Sequence, residues 1–383
     1  WLTTVPIFVA CICLVLFLAK SSNLGTGHVP ATRRGTIGAG GAILLGGAGG
    51  VAPRTFAKER AFKVPKMGIG AWAWGDPLFW GYDKSQDPAL NEVFNYCVSN
   101  GVNFFDTAEI YGLGRSETLI GQFSKSFQER PLIATKFAPF PWRGSRKDVV
   151  KACKESINRL GVDQIDLYQI HFPGAFKNKN YWDGLGDCYE QGLVKSVGVS
   201  NYGVDALKGI KKTLDERGIP LASNQIQYSL LYRYPEENGL RATCEDMGVD
   251  ILAYSPLCLG FLVGKYTPEN LPKGPRAVLG KKLLSDPDYL ELLSTMQRVA
   301  DIHGATKPQV ALAWCIAKGT CPIPGARNLR QAKENVAAVG LTLTPEDILL
   351  LDTASEKVKP VIAPEANPFP KYDKELGIRM YDS

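Results

Sequence analysis

The chain has 383 residues, 45% hydrophobic and 21% charged, enough to bury one large core and too mixed for a disordered or fibrous protein. Its net charge is +6, but residues 1–60 hold six basic side chains (Lys20, Arg33, Arg34, Arg54, Lys58, Arg60) against Glu59 alone, so the remaining body is near neutral and makes no case for a nucleic-acid groove. Nine dispersed cysteines without a CxxC pair and three scattered histidines (His28, His171, His303) point to free thiols in a reducing compartment, not to a disulfide framework or a metal site.

Residues 1–57 read as a targeting leader. The uncharged run "VPIFVACICLVLFLA", within residues 2–19, resembles a signal-peptide h-region, with a retained membrane anchor as the alternative. Residues 33–52 follow, a twin arginine (Arg33, Arg34) ahead of a glycine-rich, weakly apolar stretch. It is not a phosphate-binding glycine loop, because no GxGxxG follows a strand and no acid stands about 20 residues on. Two successive hydrophobic segments resemble the multi-part leaders of plastid proteins reached through the secretory route. The twin arginine resembles a thylakoid transfer signal, whereas free thiols favour the stromal side over the lumen.

From about residue 58 to 358 short β-rich runs alternate with helix-period segments. Eight strands are predicted: "MGIGAW", "VNFF", "PLIATK", "IDLYQI", "VKSVGV", "ASNQIQY", "DILAYS" and "CPIPG". In "RKDVVKACKESINRL", Val149, Val150, Cys153, Ile157 and Leu160 share one helical face, and Gly161 supplies the stop. The pattern predicts an α/β chain folded as a single (β/α)8 TIM barrel. Residues 257–288, rich in Pro, Gly and Lys, are expected to form a long loop over one barrel end. Residues 359–383, with Pro360, Pro364, Pro368 and Pro370, are expected to form an extended tail.

In such barrels chemistry gathers at the carboxyl ends of the strands. There the chain places Asp106, Lys136, His171, Ser200 with Asn201, and Tyr254 with Ser255, while Tyr111 lies in the loop after the second strand. A lysine cation stabilises a phenolate and a carboxylate keeps the lysine charged, so Asp106 and Lys136 are expected to lower the Tyr111 pKa. His171 can hydrogen-bond a substrate carbonyl. The set suits protonation of an oxygen as hydride reaches carbon. Taken singly, Asp106–Lys136 could be a structural ion pair, Tyr111 a loop aromatic and His171 a core histidine. Gly112 and Gly114 are expected to leave room for cofactor and substrate above the phenol.

The strings "FFDTAEIYG", "ATK", "QIHFPG", "KSVGVSNY", "NQIQYSLL", "AYSPLCLG" and "PIPGARNLRQAKEN" resemble, in order and at barrel spacing, the aldo-keto reductase superfamily over about residues 62–355. The wider sequence is most similar to the plastid members of plants and algae. The resemblance implies a catalytic tetrad of Asp106, Tyr111, Lys136 and His171, with Tyr111 as the general acid. It implies NADPH (NADP+) bound across the barrel mouth without a Rossmann domain. Ser200, Asn201 and Gln225 would hold its carboxamide, Tyr254 would stack on the nicotinamide, Ser255 and Leu257 would touch the pyrophosphate, and Glu334 and Asn335 the adenine end. Many members grip the 2'-phosphate with a Lys-Ser pair and a later Arg; here Gly325 and Ala326 stand in place of the pair, Arg327 follows, and Gln331 takes the later position.

Trp72, Trp74, Trp80, Phe137, Phe140, Trp142 and Phe172 fall near the same strand ends. Of these, Trp72, Trp80, Phe137 and Phe172 are the candidates for an apolar pocket that takes a hydrophobic or flat carbonyl compound. The leading expectation is an NADP-dependent reductase of aldehydes or ketones in the plastid stroma or on the stromal face of the thylakoid. The rival is a cofactor-binding subunit on the same fold, docked on a plastid membrane complex. A metal-dependent hydrolase is disfavoured for want of clustered ligands.

Overall fold

The computed structural model describes residues 63–77, 79–272, 276–359 and 369–381, so the leader segments 2–19 and 33–52 lie outside the described residues. Eight parallel strands run in chain order: β1 Ile69–Gly70, β2 Phe104–Asp106, β3 Leu132–Phe137, β4 Ile165–Ile170, β5 Val194–Ser200, β6 Leu221–Gln227, β7 Asp250–Tyr254 and β8 Cys321–Pro322. The ring closes through Gly68 N and Gly70 N, which donate to the carbonyls of Pro322 and Pro324, each at 3.0 Å. Gly70 makes that closure possible, since a Cβ there would meet the Ile323 carbonyl oxygen at 2.9 Å. The last strand is shorter than the "CPIPG" expected, because Pro322 and Pro324 have no N–H to give to a ladder.

Helices cover the outside. The one at Arg146–Leu160 starts on a Ser145–Asp148 capping box and stops on Gly161 at φ +64°, the glycine stop the sequence predicts. It buries Val149, Cys153 and Leu160 fully, while Val150 and Ile157 sit at the edge of the buried face. Among the described residues, no helix is long and apolar enough to cross a membrane.

Strand alternation sets the interior. Phe104, Ala134 and Leu167 make an apolar layer inside the barrel, and two residues further along the same strands Asp106, Lys136 and Gln169 make a polar layer above it. The intervening residues Phe105, Ile133, Phe137, Tyr168 and Ile170 face outward into the barrel–helix core.

The 257–288 segment is more ordered than a long loop: it holds the turn Cys258–Val263 and the helix Arg276–Leu284. The tail also departs from a plain extended strap. Its described part forms an antiparallel hairpin, β9 Tyr372–Asp373 with β10 Ile378–Arg379. Asp373 makes the hairpin possible: it is buried, its carboxylate accepts the N–H groups of Glu375 and Leu376, and the Asn178 amide donates to it at 2.7 Å.

Candidate active site

Asp106 ends β2 and Lys136 stands on β3, one strand over. Lys136 Nζ donates to Asp106 Oδ2 at 2.6 Å and to the Thr107 carbonyl at 2.7 Å, with both side chains buried. The Asp106 carboxylate also accepts Gln225 Nε2 at 2.7 Å and Gln169 Nε2 at 3.4 Å. A buried ion pair persists only where its remaining lone pairs and protons find partners, and these four hydrogen bonds from three donor groups supply them to the carboxylate and to two of the ammonium protons.

Tyr111 opens the tight turn Tyr111–Gly114 after β2. Its hydroxyl lies 3.5 Å from His171 Nε2, at the end of β4, and Lys136 Nζ lies 5.0 Å from its ring centre. The loop is braced by Glu109, which accepts the Ala138 N–H at 2.6 Å and pairs with Arg143 at 2.7 Å. Gly112 and Gly114 serve this turn and make no room for ligands. Gly112 has φ +56°, and a Cβ there would meet the Gly75 carbonyl oxygen at 2.1 Å, while one on Gly114 would meet Arg159 at 2.6 Å.

The electrostatics differ from the expectation for Tyr111. Burial first, then the Asp106 carboxylate and Tyr254, push its pKa well above 10.0. Lys136 gives its hydrogen bonds to Asp106 and Thr107 and none to the phenol, which stays protonated. Burial draws the Lys136 ammonium below its ordinary value, and Asp106 opposes the fall. Burial and the Lys136 charge hold His171 well below 6.5, hence neutral. The arrangement is a protonated phenol beside a neutral imidazole over a buried ion pair.

Ser200, Asn201, Gln225 and Tyr254 lie beside this cluster. Asn201, at φ +61°, donates to the His171 carbonyl at 3.1 Å and to Ser200 Oγ at 3.0 Å, and accepts the Tyr254 hydroxyl at 2.9 Å. Gln225 Nε2 faces Asp106. Ser255 and Leu257 lead into the turn at Cys258. At the other side Gln331 Oε1 accepts the Arg327 N–H at 2.8 Å, Asn335 Nδ2 donates to the Gly325 carbonyl at 3.3 Å, and Glu334 lies 3.6 Å from Arg330.

The aromatic residues divide. Trp72 stands 6.4 Å from the Tyr111 ring and 5.4 Å from Trp80, and Phe172 is 5.6 Å from His171. Phe137 does not join them. Lys136 points inward, so its neighbour must point outward, and Phe137 packs on Tyr181 and Arg143 instead. Trp74 is likewise buried, its Nε1 donating to the Ala326 carbonyl at 2.8 Å. Phe140 stacks on the exposed Trp142 at 5.0 Å. Phe369, from the tail, takes a place that sequence reasoning missed: it stacks on Phe172 at 5.8 Å and contacts Tyr381 at 5.9 Å. No local pattern marks it, since only the hairpin brings it to the mouth.

The family model described as "Aldo/keto reductase family" matches residues 66–356. The chain belongs to the aldo/keto reductase family. It is 42% identical over 314 residues to the chloroplastic pyridoxal reductase of Arabidopsis thaliana, covering 78% of this chain and 86% of that protein. Among solved structures it is similar to a thermostable aldo-keto reductase crystallised with the inhibitor epalrestat, with TM-score 0.61 and 29% identity over 76% of this chain and 95% of the other. An aldo/keto reductase from Klebsiella pneumoniae in complex with NADP and acetate gives TM-score 0.63 and 25% identity, covering 76% of this chain and 91% of that one. Aldo/keto reductases are oxidoreductases, and the strand-end cluster of this chain occupies the face where such barrels do chemistry. Among the described residues no group of three or more His, Cys, Asp or Glu is placed to hold a metal.

Proposed function

We propose that the protein reduces an aldehyde or ketone to the alcohol, with NADPH as reductant and Tyr111 as general acid. The observation that carries this reading is the convergence of Tyr111, His171 and the Asp106–Lys136 pair at one mouth of the barrel. A nicotinamide dinucleotide suits the neighbouring residues: Ser200, Asn201, Gln225 and Tyr254 form one polar cluster beside Tyr111, while the exposed Arg327 has no carboxylate partner among the described residues. Ser255, Leu257, Gln331, Glu334 and Asn335 would complete the contacts along the dinucleotide. Bound there, NADPH supplies the hydride that reduces the carbonyl carbon.

The chain's own part is the proton. A carbonyl oxygen seated between the Tyr111 hydroxyl and His171 Nε2 gains basicity as the carbon is reduced, and Tyr111 gives up its proton to it. The phenolate left behind is stabilised by Lys136, whose charge Asp106 maintains. His171, neutral, holds the oxygen in line without competing for the proton. Trp72, Trp80, Phe172 and Phe369 wall the approach and exclude water.

The substrate read here is a flat aromatic aldehyde, of which pyridoxal is the first to test, on the strength of that aromatic wall and of the similarity to the Arabidopsis pyridoxal reductase. The same similarity, with the leader's composition, supports a plastid location. The test follows NADPH absorbance with pyridoxal, benzaldehyde and aliphatic aldehydes, beside Tyr111→Phe. The parent is expected to turn over and the variant to lose about 10²–10⁴ in kcat while still binding NADPH. A variant as active as the parent sinks the proposal.

A further inference from the structure

Tyr111 lies between two glutamates, and each of them carries an arginine from a distant part of the chain. Glu109 and Arg143 brace the loop ahead of the phenol. Glu117, in the first turn of the helix Arg115–Ser124, follows it: its side chain is fully buried, with Oε1 accepting the Thr135 hydroxyl at 2.6 Å and Oε2 accepting Arg159 Nε at 2.5 Å. Thr135 precedes the inward Lys136 on β3 and so points the other way, toward the helices, which places the Glu117 carboxylate outside the barrel wall. Arg159 comes from the last turn of the helix Arg146–Leu160 and is held there by a second bond, from Nη2 to Ser156 Oγ at 3.1 Å. One carboxylate thus ties β3, next to Lys136, to two helices.

The turn that carries Tyr111 needs such an anchor. Gly112, Leu113 and Gly114 stand in succession at φ +56°, +54° and +90°. A leucine is strained in that region, and Leu113, 94% exposed, has no packing of its own to offset the strain. Support comes from behind Gly114, where a Cβ would meet Arg159 Cδ at 2.6 Å and Nε at 2.9 Å, so the arginine stem lies against the backbone of the turn. A staple that merely joined two helices would need no such contact. Thr118 Oγ1 holds the same residue from the helix side, donating to the Gly114 carbonyl at 3.0 Å. Among the described residues the Tyr111 hydroxyl makes one long contact, 3.5 Å to His171 Nε2, so the phenol takes its aim from the turn.

We infer that Glu117 and Arg159 are positioning residues for the proton transfer: Glu117 fixes Arg159, and the Arg159 stem holds the left-handed turn that aims the Tyr111 hydroxyl at the carbonyl oxygen. Both stand outside the barrel and act through Tyr111. The inference rests on the reading of Tyr111 as the general acid. A proton donor carried by a turn moves with that turn, and a misplacement of about 1 Å costs about 10² in rate.

The experiment compares the full chain with its Arg159→Ala, Arg159→Lys and Tyr111→Phe variants. NADPH oxidation is followed with pyridoxal, benzaldehyde and aliphatic aldehydes, NADPH affinity by nicotinamide fluorescence, and the solvent deuterium isotope effect on kcat is measured well below each thermal midpoint. Arg159→Ala is expected to lose about ten-fold or more in kcat, with KM and NADPH affinity within about two-fold of the parent's. Its solvent isotope effect is expected to exceed the parent's, because a misaligned donor makes proton transfer limiting. Arg159→Lys keeps a stem and a charge for Glu117 and is expected to recover most of the rate. If Arg159→Ala does not fold, Glu117→Gln combined with Arg159→Met removes both charges, leaves neither buried alone and carries the same expectation. A folded variant with the parent's kcat and isotope effect, or one whose loss lies in NADPH affinity, overturns the positioning role and leaves the reductase reading standing. A parent that reduces none of the aldehydes, or a Tyr111→Phe variant as active as the parent, overturns both.

Discussion

At the scale of single residues the site is governed by desolvation. Tyr111 and His171 both stay uncharged because burial penalises the charged form of each, and the two shifts run in opposite directions. That has a consequence for stability. As pH falls through 6.5, the unfolded chain protonates His171 while the folded chain refuses the proton, so stability present above 6.5 is lost on acidification. As pH rises through 10.0, the unfolded chain ionises Tyr111 while the folded chain does not, so stability present below 10.0 is lost on alkalinisation. Chemical denaturation of the parent and of His171→Gln between pH 5 and 7 checks the first limb. The parent is expected to lose more stability than the variant as the pH drops, and parallel curves would contradict a buried neutral imidazole.

At the scale of elements the tail hairpin joins the loops at the barrel's mouth. Asn178 holds Asp373 on one side, the Gly203 N–H donates to the Met380 carbonyl at 2.9 Å on the other, and the Tyr381 and Tyr232 hydroxyls meet at 3.2 Å. Those contacts tie the hairpin to the loops after β4, β5 and β6, and they set Phe369 against Phe172, next to His171. A stacked aromatic pair contributes about 0.5–1.5 kcal/mol beyond its buried area, enough to shift substrate affinity several-fold. Phe369→Ala is therefore expected to raise KM for an aromatic aldehyde about three- to ten-fold, with kcat and NADPH affinity close to the parent's. Steady-state kinetics on aromatic and short aliphatic aldehydes make the measurement. An equal effect on both substrate classes would place Phe369 outside the pocket.

At the scale of the whole molecule, the leader expected over residues 1–57 precedes a barrel whose described part begins at residue 63. Sequencing the N-terminus of the protein purified from its own cells is expected to find a start between Ala57 and Phe62; a start ahead of Arg33 would mean that the apolar segment is retained or only partly removed. The barrel was legible because parallel strands are covered on both faces and so appear as short apolar runs set apart by amphipathic helices. Asp106, Lys136 and His171 were legible for the same reason, since each closes or follows such a run. The outward turn of Phe137 was legible too, had the inward Lys136 been used to set the phase of β3. Local sequence therefore determined the strand order, the helix stops such as Gly161, and which polar groups reach the mouth, because those follow from periodicity and chain order. Only the tertiary structure decided that Lys136 serves Asp106 more than Tyr111, that Phe369 returns to the mouth, and that Arg159, anchored by Glu117, backs the turn at Gly114. Each of these joins residues far apart in the chain, and no period of 2 or 3.6 carries information about partners that only ring closure and packing bring together.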